Sequence, residues 1–103
     1  MDRSAPSAQT EATADARLRG RRVLITGAAS GIGRELATLS IDSGAETTLI
    51  DLDAGGLAEL DRVGPCDRVA MDVSDPAAWS ALPEPVSAWD FVALNAGETL
   101  WHF

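Results

Sequence analysis

The 103 residues allow one domain at most, and 46% of them are hydrophobic, enough apolar sequence for a core. The formal net charge is −8 and all eight cations are arginine, a balance that argues against nucleic acid, whose binding rests on clustered cations, and against an anionic membrane surface. No apolar run approaches the roughly 20 residues a bilayer requires, and the N-terminus has no apolar signal-peptide core.

Residues 1–20 are rich in Ala, Ser, Thr and charge and have no apolar period, so they read as a disordered leader with a little nascent helix near Glu11 to Leu18. Arg17, Arg19, Arg21 and Arg22 crowd the entry to the first strand and read as a solvated flank. That strand is predicted over Arg22 to Thr26, around the apolar run Val23-Leu24-Ile25. It leads into Thr26-Gly27-Ala28-Ala29-Ser30-Gly31-Ile32-Gly33, and a helix is predicted from Ile32 to Ser43. In such a strand, glycine turn and helix, Gly27 lets the chain turn sharply. Gly31 lets the backbone approach a diphosphate, and Gly33 lets the helix pack close on the strand. The first N–H groups, around Ser30, Gly31 and Ile32, have no partner inside the helix and lie at the positive end of its dipole. A phosphate can sit there without any cationic side chain. A glycine-rich turn without a ligand is the alternative at this point. Ile32, Leu36 and Leu39 recur at helical spacing, Gly33 and Ala37 offer a smooth side to the sheet, and Gly44 ends the helix as a C-cap glycine.

The second strand is predicted over Thr47 to Ile50, ending in Asp51-Leu52-Asp53. Asp51 lies 18 residues after Gly33. A carboxylate there can accept hydrogen bonds from both ribose hydroxyls of an adenosine and repels a 2′-phosphate. Leu52 stands where a 2′-phosphate binder often has Arg. Both features favour NAD over NADP; the alternative is that Asp51 or Asp53 only caps the next helix. That helix spans about Ala54 to Arg62, with Leu57 and Leu60 facing in, and Gly55 and Gly56 each cost it about 1 kcal/mol relative to Ala. Gly64-Pro65 breaks it. Cys66, the only cysteine, has no Cys or His at ligand spacing, so a plain thiol in a reducing cytoplasm is expected and no metal site is assigned. The third strand is predicted over Arg68 to Met71, ending in Asp72-Val73. Asp75-Pro76 opens another helix, with Trp79 and Leu82 on its core face and Pro83 and Pro85 ending it. The fourth strand, Asp90 to Leu94, is nearly all apolar, as expected of a parallel strand covered on both faces, and ends in Asn95-Ala96-Gly97.

At Thr26 to Gly33 the chain resembles the short-chain dehydrogenase/reductase family, whose Thr-Gly-x-x-x-Gly-Ile-Gly differs in spacing from the Gly-x-Gly-x-x-Gly of other dinucleotide folds. The resemblance covers about residues 21 to 97. It implies that Asp72 accepts from the exocyclic amine of adenine while the Val73 backbone meets a ring nitrogen. A simple strand end with Asp72 as turn former is the alternative. It further implies that Asn95 braces the sheet and that Ala96 and Gly97 let the backbone approach the cofactor. The expected fold is α/β: a partial Rossmann, doubly wound parallel sheet of four strands in order 3-2-1-4 with flanking helices. Residues 21–97 would form an NAD-binding half-domain and 98–103 a tail. The fourth strand would be a long, hydrophobic edge open to self-association or to a partner chain.

The family performs its chemistry with a Ser, a Tyr and a Lys four residues after the Tyr. This sequence contains no Tyr and no Lys. His102 lies in the terminal Leu-Trp-His-Phe and Ser30 has no His neighbour, so no catalytic residue is assigned. The reading is therefore a truncated, cytoplasmic NAD-dependent short-chain oxidoreductase. Its lineage transfers hydride between nicotinamide and an alcohol or carbonyl, and this chain can at most bind NAD. The alternatives are a non-catalytic nucleotide-binding or partner-complementing module, and a remnant without function. A methyltransferase would normally show Gly-x-Gly in the turn.

Overall fold

The computed structural model describes residues 17–95. Ala96, Gly97 and the tail 98–103 lie outside the described residues, as do residues 1–16. Four strands form one sheet: β1 (Arg22–Thr26), β2 (Glu46–Asp51), β3 (Asp67–Ala70) and β4 (Phe91–Ala93). Three helices connect them: α1 (Gly31–Asp42), α2 (Ala54–Glu59), which runs on into a 3-10 turn Leu60–Arg62, and α3 (Pro76–Ser80). A second 3-10 turn, Val86–Ala88, precedes β4. The strand order is β3-β2-β1-β4 and every pair is parallel, the expected doubly wound order.

The register puts Thr26 beside Ile50, Asp51 beside Ala70, and Ile25 beside Ala93. All four strands therefore end at one edge of the sheet, where the glycine turn, Asp51, Asp72 and Asn95 follow them. Side chains alternate along each strand, so two cores form. Val23, Ile25 and Leu49 point to one face and meet Ala37 and Ile41 of α1 and Leu57 and Leu60 of α2 and its extension. Leu24 and Ile50 point to the other face and meet Met71 and Trp89. Burying each such large aliphatic side chain stabilises the fold by roughly 1.5–3 kcal/mol. Trp79 and Leu82 of the third helical segment are only partly buried and pack on the rim of this second core.

Helix α1 ends as its sequence directs. Gly44 has φ +83°. Its N–H donates to the Ile41 carbonyl and the Ala45 N–H donates to the Ser40 carbonyl, the paired bonds of a Schellman motif. Gly44→Ala is expected to destabilise the chain by about 1–2 kcal/mol in urea unfolding, because a Cβ is strained in that backbone region. Leu18, which composition assigns to the leader, packs against the first core, and the Gly20 N–H donates to the Gly44 carbonyl.

One expectation is corrected. The fourth strand is not a long, doubly covered strand from Asp90 to Leu94: β4 holds three residues, and Phe91 is 49% exposed. Among the described residues no strand lies beyond it, so its outer edge stays open while Ala93 packs against the first core. Gly33 and Ala37 take the sheet-facing side of α1 as expected, and the stripe Ile32, Leu36 and Leu39 stays open, with Ile32 68% exposed.

Candidate functional site

Gly27 and Gly31 both have positive φ, +67° and +60°, so the turn between β1 and α1 needs glycine at both ends. Ala28 and Ala29 between them are buried. At Gly33 a Cβ would overlap the Gly27 carbonyl oxygen and lie 2.9 Å from Asn95 Nδ2, so the first turn of α1 rests directly on the turn backbone. A Cβ on Gly31 would meet nothing within 4 Å; its outer face is open.

Ser30 is the N-cap of α1, in extended backbone at φ −153°, and its hydroxyl makes no capping bond. The first turn carries no acidic residue. The positive end of a 12-residue helix is thus presented to the exposed surface at Ser30, Gly31 and Ile32. The other two helices are closed by their own chain. Asp53 caps α2, accepting from the Gly56 N–H at 3.0 Å, and Asp75 caps α3, accepting from the Ala77 N–H at 3.0 Å.

Asp51 caps neither helix. Its Oδ2 accepts from the Ala29 N–H at 3.0 Å, across to the glycine turn, and its Oδ1 accepts from the Asp53 N–H at 3.0 Å. Each carboxylate oxygen can accept a second hydrogen bond, so capacity remains for two hydroxyl donors. Leu52 beside it is exposed. The rim of the site here has one carboxylate and no cation at the next position.

Asp72 Oδ1 accepts from the Ser74 N–H at 2.9 Å and the Ser74 Oγ–H at 2.7 Å, a local turn. These bonds, the hydroxyl's first, hold the Asp72 carboxyl below its ordinary value. The Val73 carbonyl accepts from the Trp79 indole N–H at 2.8 Å, which fixes that peptide while the Asp72 side chain stays exposed. Ser74→Ala is expected to raise the Asp72 carboxyl toward the usual carboxylate range, read by NMR titration of the carboxyl carbon. The folded value lies below the unfolded one. The stabilisation it brings is present above the ordinary carboxylate range and is lost as pH falls through the folded value.

At the fourth strand end, Thr26 Oγ1 accepts from the Asn95 N–H at 2.8 Å and reaches the Ala93 carbonyl at 3.4 Å. Asn95 is thereby tied to β1 beside Gly33. The structure gathers Gly27, Ser30, Gly31, Ile32, Gly33 and Asp51 around the glycine turn, with Ser30, Gly31 and Ile32 exposed, Asp51 half-buried, Gly27 and Gly33 buried beneath them, and Asn95 at the side. Asp72 and Val73 follow β3, two strands from the glycine turn. Two residues that sequence reasoning did not single out, Ala29 and Gly56, also belong to it: a Cβ on Gly56 would lie 2.8 Å from the Ala29 Cβ. The signal for Gly56 was present, since a glycine pair inside a helix is unfavourable unless a neighbour comes close.

A family model described as short chain dehydrogenase matches residues 21–99. The chain is 38% identical over 88 residues to 2-keto-3-deoxy-L-fuconate dehydrogenase of Xanthomonas campestris, a match covering 82% of this chain and 29% of the relative. It is 34% identical over 97 residues to 2-dehydro-3-deoxy-L-rhamnonate dehydrogenase (NAD(+)) of a Sphingomonas species, covering 84% of this chain and 39% of the relative. Among solved structures, hydroxysteroid dehydrogenase from Escherichia coli superposes with a TM-score of 0.68 at 28% identity, over 82% of this chain and 40% of that one. The chain therefore spans well under half the length of these relatives.

Proposed function

Because the chain belongs to the short-chain dehydrogenase family, we propose that it is the dinucleotide-binding half of an oxidoreductase fold and takes NAD at the C-terminal edge of its sheet. The observation that carries this is the uncapped N-terminus of α1 standing open beside the Asp51 carboxylate. In this reading the diphosphate meets the N–H groups of Ser30, Gly31 and Ile32, where the helix dipole favours an anion. Asp51 accepts from the ribose hydroxyls. A 2′-phosphate would stand against the same carboxylate with only Leu52 beside it, so NAD is preferred over NADP. The adenine lies toward Asp72 and Val73, and Asn95 borders the nicotinamide end. Bound NAD supplies a hydride acceptor for an alcohol. This sequence has no Tyr and no Lys to move the hydroxyl proton, so the chain binds without turning over. One named relative carries NAD(+) in its name, which supports the choice of dinucleotide. No helix among the described residues is long and apolar enough to cross a membrane. A cytoplasmic location suits both the dinucleotide and the unpaired Cys66.

Calorimetric titration of the 103-residue protein tests this. NAD is expected to bind with NADP about tenfold weaker or more, the difference a lost charge-assisted contact makes. No heat at millimolar NAD would end the reading, and dehydrogenase turnover by the pure chain would contradict its second half.

A second reading rests on a different observation. Val92 is exposed on the side to which its register partner Leu24 points, whereas on the α1 side Ile32, Leu36 and Leu39 of α1 and Phe91 of β4 form an exposed apolar face. It runs into a depression of about 260 Å³ lined by Arg17, Leu18, Leu39 and Phe91. The occupant we assign is the further part of a short-chain fold, since the relatives extend well beyond the matched region. In isolation this face makes the chain self-associate. Sedimentation of the pure chain is expected to show mass rising with concentration; a monomer at high concentration with a sharp unfolding transition would contradict it.

A further inference from the structure

Ala29 of the glycine turn is held from the end of the second strand and from the helix after it. The Ala28 N–H donates to the Ile50 carbonyl at 3.2 Å. The Ala29 N–H donates to Asp51 Oδ2 at 3.0 Å. The Ala29 methyl faces Gly56 so closely that a Cβ there would lie 2.8 Å away, nearer than Cβ atoms approach one another. The other Asp51 oxygen is held by the Asp53 N–H, and Asp53 is in turn held by the Gly56 N–H. The contacts close a circuit: turn, end of β2, first turn of α2, and back to the turn.

We propose that Gly56 and Asp51 are positioning residues for the glycine turn, fixing Ala29 and through it the Ser30 and Gly31 amides before any ligand arrives, Gly56 without touching ligand at all. The inference rests on the dinucleotide reading for its functional meaning, while the circuit itself is a property of the ligand-free chain. It couples two recognition events. The carboxylate that would read the ribose also anchors the loop that would hold the phosphates. An Asp51 variant made to admit a 2′-phosphate therefore loosens the phosphate grip as well.

Neighbouring glycines supply the test. Gly55→Ala places a Cβ 3.5 Å from Asp53 Oδ1, an ordinary contact, whereas Gly56→Ala pushes both on Ala29 and on the Asp53 carboxylate, two links of the circuit. Both add the same helix-favouring methyl, so the pair separates the effect on the circuit from helix propensity. Hydrogen exchange at the Ala29 amide is measured without ligand, and NAD affinity by titration. Ala29 is expected to be protected in the parent. In Gly56→Ala its exchange rises about tenfold and NAD binds about tenfold more weakly, while Gly55→Ala changes neither. Asp51→Asn keeps the shape but loses one acceptor, and is expected to speed Ala29 exchange by a similar factor; it carries the test if Gly56→Ala does not fold. An unprotected Ala29 amide in the parent, or a Gly56→Ala chain indistinguishable from Gly55→Ala, would overturn the proposal. Protection that Gly56→Ala abolishes, in a parent that binds no NAD, would uphold the circuit and retire the dinucleotide reading.

Discussion

Gly33→Ala is expected to cost the chain about 3 kcal/mol or more, and in a domain this small to abolish its cooperative unfolding transition. The added methyl overlaps the Gly27 carbonyl and lies within 2.9 Å of Asn95 Nδ2. The decisive obstacle is backbone, the Gly27 carbonyl oxygen, and Gly27 is fixed by its own positive φ. The Asn95 amide is the end of a side chain and can give way, but the Gly27 carbonyl cannot. Relief requires α1 to lift off the sheet, and that uncovers the packing of Ala37 and Ile41 on Val23, Ile25 and Leu49. Urea unfolding followed by far-UV circular dichroism checks it. A Gly33→Ala chain as stable as the parent would mean that α1 does not sit on the turn as described.

Trp89→Ala is expected to destabilise the chain by about 3–5 kcal/mol, the range for removing a large buried aromatic. Trp89 fills the second core with Leu24, Ile50 and Met71, and its indole N–H reaches Thr48 Oγ1 at 3.3 Å. The Arg22 guanidinium lies 4.9 Å from its ring centroid, while Arg22 also pairs with Glu84 and donates to the Ala88 carbonyl at 3.1 Å. The ring thus pins the segment before β4 to the start of β1. Trp79→Ala, at the rim, is expected to cost less, because Trp79 is only partly buried. The two variants compared by chemical unfolding give the order directly, and a larger loss for Trp79 would reverse it.

What the sequence made legible was whatever local chemistry decides. The first strand was bounded by an apolar run and a glycine, and β1 spans Arg22–Thr26 as read. Asp75 before Pro76 marks a helix start and caps it, and of the two cap candidates Asp51 and Asp53 it is Asp53 that caps. The order 3-2-1-4 followed from right-handed crossovers and is observed. What stayed hidden depends on partners distant in sequence. The apolar period of α1 gave no sign that Ile32 and Leu39 would stay open, because hydrophobic spacing does not say which neighbour is present. The length of β4 was overestimated for the same reason: a continuous apolar run marks a strand but not its cover. Trp89, placed between a proline-rich turn and a strand, carried no periodic signal, yet it closes the second core. At the site, Asp51 was singled out by its spacing from the glycine turn. Its bond to the Ala29 N–H and the contact of Ala29 with Gly56 are tertiary facts.

The central claim is that the open end of α1, beside Asp51, receives NAD. Titrating NAD into the isotopically labelled chain and following backbone amides by NMR tests it most directly. Saturable shifts led by Ser30, Gly31 and Ile32, with Asp51 and Leu52 following, are expected. Saturable shifts centred anywhere else in the fold, or none at millimolar NAD, would contradict it.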